Sequence, residues 1–398
     1  MTESWYSRAG ARQWRCEPPS GDPRLFHMSL PGYRPTELTE VPALADELNV
    51  GRVFVKDESG RLSLGAFKVL GASWALARVL SGTSGIRDFA ALALAAAAAP
   101  VELVTATDGN HGRAVAYLGR LLRQRVRVFV PDVVPASVAA MIEAEGATVA
   151  SVPQSYDAAV EQAARYAGAQ PGRVLVQDTA WPGYERIPRW IVAGYETLFS
   201  EIDEQLGERG AGSLDLLSVP VGVGSLAQAA VEHYRSRPLP SEVEPATLAV
   251  PPALAALAML AAPAVLAAPV LAAPAVLAVE PEAAACLLAS LRAGGCGSID
   301  TSATVMVGLN CGTPSMLAWP VLSAGLDAAI AVPDAAAVTA VADLSSHGIS
   351  AGPSGAAALA GVRAALTGPG ASDRRGELGL TSSSVVVMLS TEGQVTTT

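Results

Sequence analysis

Leu64-Gly65-Ala66-Phe67-Lys68-Val69-Leu70-Gly71-Ala72-Ser73 sets one lysine in an apolar run that opens a helix of small and aliphatic residues. Charged side chains are rarely buried unless paired. A desolvated lysine has a lowered pKa, which favours its neutral, nucleophilic amine. Such an amine forms Schiff bases with carbonyl compounds. Lys68 also reads as a cation snorkelling from a helix start into water. Taken by itself the stretch favours that second reading, and the rest of the chain reverses the weighting.

The chain has 398 residues, enough for two domains or one large α/β unit. Residues are 51% hydrophobic and 16% charged, so a substantial core is available. The net charge is −10 and no basic block is present, which argues against nucleic acid as a partner. Met1 to Gly21 is polar with scattered arginines and lacks the apolar core of a signal peptide. Cys16, Cys286, Cys296 and Cys311 are irregularly spaced and form no Cys-x-x-Cys pair, so neither a disulfide framework nor a metal site is expected. These properties predict a soluble, cytoplasmic protein.

Outward from Lys68, short apolar strands alternate with helices. Residues 1–35 read as an irregular surface leader. Strands are predicted at 52–56, 101–106, 126–130, 147–152, 173–177, 214–221, 275–279 and 385–389. Helices are predicted from Lys68 to about Leu80, over 89–99 as a buried alanine-leucine helix, and at 113–123, 136–145, 157–168, 187–206 and 225–235. Four more follow, near 282–293, 314–325, 334–346 and 354–367. The alternation implies βαβ units and a mostly parallel sheet covered on both faces. Residues 247–279 carry no charge and repeat Ala262-Pro263-Ala264-Val265-Leu266 as Pro269-Val270-Leu271 and Pro274-Ala275-Val276-Leu277. The length suits a membrane span, but five prolines interrupt it. It reads as a low-complexity insertion rather than a membrane anchor.

Two turns carry chemistry. Gly222-Val223-Gly224-Ser225-Leu226 joins a strand to a helix, where backbone amides face an anion such as phosphate. It has neither Walker spacing nor the third glycine of a dinucleotide fingerprint. Thr107-Asp108-Gly109-Asn110-His111-Gly112 packs an acid, an amide and an imidazole at another strand end. That loop reads equally as an Asx-type turn capping a helix.

Together these residues bring a family into view. Lys56-Asp57-Glu58, Ala66-Phe67-Lys68 and Thr107 to Gly112 resemble the opening of a fold-type II pyridoxal phosphate (PLP) enzyme, in the tryptophan synthase β and threonine dehydratase superfamily. Val176-Gln177-Asp178-Thr179-Ala180-Trp181, the Gly222–Leu226 loop and Glu280-Pro281 with Ala284 to Leu288 continue the likeness. Gly308 to Ser315 and Ser390-Thr391-Glu392-Gly393 complete it. Within that superfamily the chain most resembles the diaminopropionate ammonia-lyases, from about residue 36 to 393.

The resemblance implies an α/β fold of two parallel-sheet domains with helices on both faces. Residues 1–70 and 188–398 would form the larger domain, with the insertion at about 250–274, and 71–187 the smaller. PLP would lie in the cleft between them. Lys68 would carry the cofactor, Asn110 would bond its phenolic oxygen, and Gly222, Val223, Gly224, Ser225 and Leu226 would hold its phosphate. Ser390, with Thr391 as the near alternative, would face the pyridine nitrogen as a neutral hydroxyl, which suits elimination. Asp108 and Asp178 would act on a cationic diamino acid, the first from the face opposite Lys68. Thr107, Gly109 and His111 would line the substrate site. A homodimer is implied as well. The rival readings are a serine or threonine dehydratase, a PLP-binding protein without catalysis, and a membrane-tethered protein. Asp108 speaks against the first, because superfamily members acting on hydroxy-amino acids generally carry a small residue there. Two features depart from the family pattern: the insertion, and Pro353 where a glutamate usually precedes Ser-Gly-Ala.

Overall fold

Strands that are mostly continuous apolar runs give two sheets, each with a hydrophobic layer on both faces. The computed structural model describes residues 4–19, 21–81, 88–153, 156–236 and 273–394. Residues 247–272 of the insertion lie outside the described residues. Among the described residues no helix is long and apolar enough to cross a membrane.

The larger sheet contains β1 (Trp5–Ser7), β2 (Glu37–Glu40), β3 (Arg52–Asp57), β8 (Leu216–Pro220), β9 (Ala275–Pro281), β10 (Ala328–Val332) and β11 (Val385–Ser390). Its order is β1-β10-β9-β8-β11-β3-β2. The five inner strands are parallel, and β1 and β2 close the two edges antiparallel. Val276 and Ala278 face one apolar layer with helices Arg186–Gly194, Glu196–Glu208 and Ser225–Arg235, while Ala275, Leu277 and Val279 face the other, with helices Asp334–Ser346 and Pro353–Leu366. Burial on both faces is what parallel strands require.

The smaller sheet is wholly parallel, in the order β6-β5-β4-β7, from β4 (Glu102–Ala106), β5 (Arg125–Pro131), β6 (Thr148–Val152) and β7 (Arg173–Leu175). Helix Asn110–Leu121 covers one face and helix Tyr156–Gly168 the other. Helix Lys68–Leu80 packs on helices Arg186–Gly194 and Asn110–Leu121. Its crossing with the first is close: a Cβ on Gly194 would lie 2.6 Å from the Leu70 carbonyl oxygen, and one on Gly71 2.6 Å from the Ile191 side chain.

Four expectations are corrected. The leader is not irregular, since it supplies edge strand β1 and helix Pro23–Met28, whose Phe26 and His27 are buried. Helix Phe89–Ala98 forms, but only Leu92 and Ala96 are buried, and Leu94 is 74% exposed. The predicted 187–206 helix is two helices meeting at Tyr195. Strand β10 was not foreseen: Ala328-Ala329-Ile330-Ala331-Val332 has the alanine content of a helix, and parallel pairing with β9 overrides that propensity.

Candidate active site

In open α/β sheets, ligands sit beyond the carboxyl ends of the strands. The residues singled out by sequence follow β4, β7, β8 and β11, and Lys68 follows β3 after a short turn. In that turn Leu62 and Ser63 take left-handed φ angles of 48° and 60°, a strained conformation for residues with side chains. A buried ion network over-determines it. Arg61 bonds Glu58 and Glu201, and Lys56 bonds Glu201 at 2.7 Å, all four side chains being almost fully buried.

Lys68 Nζ donates to Asp178 Oδ2 at 2.8 Å. Burial pulls the Lys68 pKa down, but Asp178 and the other groups facing it outweigh burial and raise it above the ordinary lysine value. This corrects the expectation of a lysine neutralised by desolvation: the pairing holds Lys68 as a cation. Burial likewise opposes ionisation of Asp178, yet His111 and Lys68 keep its pKa below the usual carboxylate range. Asp108 is pushed up to about 6, first by burial, with Lys68 opposing the rise and Asp178 adding to it.

The 107–112 turn resolves its two readings. The Thr107 hydroxyl oxygen accepts from the N–H groups of Gly109 and Gly112, at 2.9 and 3.1 Å. Capping falls to buried Thr107, which leaves Asp108 and Asn110 to face other partners. Asn110 and His111 form the first turn of helix Asn110–Leu121, which starts earlier than the sequence predicts. His111 Nε2 donates to the Val176 carbonyl at 2.8 Å, while its Nδ1 lies 3.8 Å from Asp178. Asn110 Nδ2 donates to Glu392 Oε2 at 2.6 Å.

Glu392 is a residue to which sequence reading assigned no role. Its backbone carbonyl accepts from the Gly352 N–H at 2.9 Å, and its carboxylate stands beside Gly352 at the start of helix Pro353–Leu366. Pro353 is the first residue of that helix, a position that needs no N–H donor. An acid therefore faces this helix start although residue 353 is proline. Tyr156 was also missed. Its hydroxyl accepts from Gln177 Nε2 at 2.8 Å, and its pKa is raised well above the ordinary value by burial first, then by Asp178 and Asp108. Residue type and spacing mark neither Glu392 nor Tyr156; the count of lysines speaks for Lys68, since Lys56 and Lys68 are the only two in 398 residues.

The glycine turn after β8 opens the eleven-residue helix Ser225–Arg235, whose first-turn amides have no intrahelical partner. Gly224 has φ 96°, and a Cβ on Gly222 would stand 3.1 Å from both Cys311 Sγ and the Gly308 carbonyl oxygen. Leu226 is buried behind the turn, and Val223 is tied through its carbonyl to the Ser315 N–H. At the end of β11, Ser390 and Thr391 are buried, and Ser390 Oγ has no hydrogen-bond partner among the described residues.

The family described as pyridoxal-phosphate dependent enzyme matches residues 29–390. The chain belongs to that family. It is 32% identical to the diaminopropionate ammonia-lyase of Escherichia coli K12 over 380 residues, 93% of this chain and 87% of that one. Against the Salmonella typhimurium enzyme of the same name, identity is 34% over 309 residues, 75% and 68% of the two chains. The structure of the Escherichia coli enzyme in complex with an aminoacrylate-PLP azomethine reaction intermediate superposes with a TM-score of 0.76 at 29% identity, covering 98% of this chain and 90% of that one. The fold is that of a fold-type II PLP enzyme.

The site fits the family's cofactor. A phosphate matches a glycine turn at a helix start that a side chain at residue 222 would crowd. A ring nitrogen matches the buried, unpartnered hydroxyl of Ser390. An aldehyde matches Lys68, which is a quarter exposed, whereas Lys56 is fully buried in its ion pairs.

Proposed function

We propose that this chain converts 2,3-diaminopropionate and water to pyruvate and two ammonia by α,β-elimination. The observation that carries the reading is the convergence on Lys68 of two carboxylates, Asp178 at 2.8 Å and Asp108 within electrostatic reach. A substrate with two ammonium groups is matched by two carboxylates.

Lys68 anchors the cofactor, Gly222 through Leu226 hold its phosphate, Asn110 donates to its phenolic oxygen, and Ser390, or Thr391 beside it, serves the ring nitrogen. Bound PLP supplies the electron sink for charge left at Cα. Lys68 Nζ takes the Cα proton of the L-isomer, and the Asp108 carboxylate takes that of the D-isomer from the opposite face. Asp178 holds an ammonium, of Lys68 or of the substrate, in both cases. Thr107 holds the turn that presents Asp108, with Gly109 and His111 completing the substrate side. The two-domain division at 1–70 with 188–398 and 71–187, a homodimeric state and a cytoplasmic setting belong to the same reading, supported by the likeness to bacterial enzymes.

The test is release of pyruvate and ammonia from D- and L-2,3-diaminopropionate, with L-serine and L-threonine alongside. Two ammonia per pyruvate from diaminopropionate, with little from the hydroxy-amino acids, is expected. Product from serine or threonine alone would move the assignment to a dehydratase. Bound cofactor without any turnover would make this a PLP-binding protein.

A further inference from the structure

Gln177 has no solvent exposure and sits between the end of β4 and Asp178. Its carboxamide oxygen accepts from the Ala106 N–H at 2.9 Å and from the Thr105 hydroxyl at 3.1 Å. A backbone N–H can only donate, so chemistry decides which way the amide points. The oxygen faces β4 and the nitrogen faces the site. The two N–H bonds of Nε2 then go to the Tyr156 hydroxyl oxygen, 2.8 Å away, and to Asp178 Oδ1, 3.3 Å away. Asp178 Oδ2 is the oxygen that holds Lys68.

We propose that Gln177 is a positioning residue: pinned from behind by β4, its amide holds Asp178 turned toward Lys68 and ties Tyr156 into the same unit. The inference deepens the proposed function and rests on its placing of Lys68 and Asp178 in the active site. A carboxylate bonded through one oxygen can swing about its terminal torsion; with the second oxygen engaged it is held. Donation from Nε2 also favours the ionised form of Asp178, which in turn favours the Lys68 ammonium. Tyr156 gains a direction as well. Its oxygen accepts from Gln177, so its own proton is left for an acceptor elsewhere.

A purely structural role would be met by glutamate. Glutamate accepts from Ala106 and Thr105 as glutamine does, but toward Asp178 it presents a charge or a shared proton instead of a fixed N–H. Gln177→Glu therefore keeps the anchor on β4 and changes what faces the site. It sets a second carboxylate about 3.3 Å from Asp178 Oδ1, which opposes ionisation of the pair. It also turns the Tyr156 hydroxyl into a donor toward residue 177.

The measurement uses the full chain labelled with 15N-lysine, which gives two side-chain resonances because there are two lysines. The Lys68 resonance is assigned by its loss in Lys68→Arg. In Gln177→Met, of similar volume and with neither donor nor charge, Asp178 is free to turn away and the titration of Lys68 is expected to move down by about one pH unit. PLP capture, followed by visible absorbance, should speed up at neutral pH, because the neutral amine is the form that attacks an aldehyde. In the reloaded enzyme kcat should fall with KM changed less. Gln177→Leu, also without donor or charge, should move the titration the same way and decides the matter if the methionine variant does not fold; Gln177→Glu, which adds acid beside the ammonium, should not lower it. A Lys68 titration that superimposes on the wild type in whichever of the methionine and leucine variants folds, while Asp178→Asn shifts it, would overturn the inference. A wild-type chain that captures PLP but turns over no diaminopropionate, with the shift present in its residue 177 variant, would overturn the proposed substrate and still support the role of Gln177.

Discussion

Lys68 Nζ and Asp178 Oδ2 stand 2.8 Å apart although 110 residues separate them in sequence. Lys68 lies beyond β3 of the seven-stranded sheet, and Asp178 lies beyond β7 of the four-stranded one. The ion pair thus spans the two sheets and forms only when both are in place. Its side chains are 25% and 8% exposed, which removes much of the solvent screening that weakens surface pairs. Lys68 is the one lysine left for a carbonyl reagent, since the other is enclosed by Glu201, Gln205 and the Thr36 carbonyl.

Borohydride reduction of the PLP-loaded chain should therefore label a single lysine, Lys68. Lys68→Ala should show neither the adduct by peptide mass spectrometry nor turnover. An adduct on Lys56 with activity intact would remove Lys68 from its assigned place.

Asp108, at about 6, makes the isomers separable by pH. A carboxylate accepts a proton only when ionised, so kcat/KM for D-diaminopropionate should rise with pH through about 6 and level off above it. Asp108→Asn should lower D-isomer turnover by about 100-fold or more while sparing the L-isomer to a much greater degree. Equal loss for both isomers would place Asp108 in binding rather than in proton removal.

The buried network behind Lys68 has its own pH signature. Burial works against ionised Glu201, but Arg61 and Lys56 hold its pKa at about 2, below the ordinary 4.5. A depressed carboxylate contributes its stability above the unfolded-state pKa and loses it as pH falls toward the folded value. Thermal melts should show stability falling from about pH 4.5 toward 2. Lys56→Met removes one partner of a buried pair and should cost about 3 kcal/mol in urea unfolding. Because it acts through the turn at Leu62 and Ser63, the folded fraction should retain bound PLP.

At the glycine turn, Gly222→Ala would place a Cβ 3.1 Å from Cys311 Sγ and from the Gly308 carbonyl oxygen. Overpacking of that kind costs about 1–3 kcal/mol. The expected effect is roughly 10- to 100-fold weaker PLP binding in an absorbance titration. Unchanged affinity with a lowered melting temperature would detach this turn from the cofactor.

Much of the architecture was legible because apolar strands and helices alternate with the periods their geometry imposes. Parallel strands such as Val385–Ser390 are buried on both faces and read as continuous apolar runs. The two edges and one inner strand were not legible. Trp5–Ser7 and Glu37–Glu40 are too short to show a period, and Ala328–Val332 is made of residues that favour helix until a neighbouring strand pairs with it.

The sequence alone determined the parallel α/β class, the lysine opening a helix, the glycine turn and the acids at strand ends, because each rests on residue type and near-neighbour spacing. Tertiary structure decided the charge of Lys68, since desolvation argues for a neutral amine and only the arrival of Asp178 reverses it. It decided that Thr107 rather than Asp108 caps the helix, that Glu392 meets Asn110, and that Gln177 faces β4 with its oxygen. Those are contacts between segments far apart in the chain. A side chain's protonation and direction follow from what folding brings within a few ångströms of it.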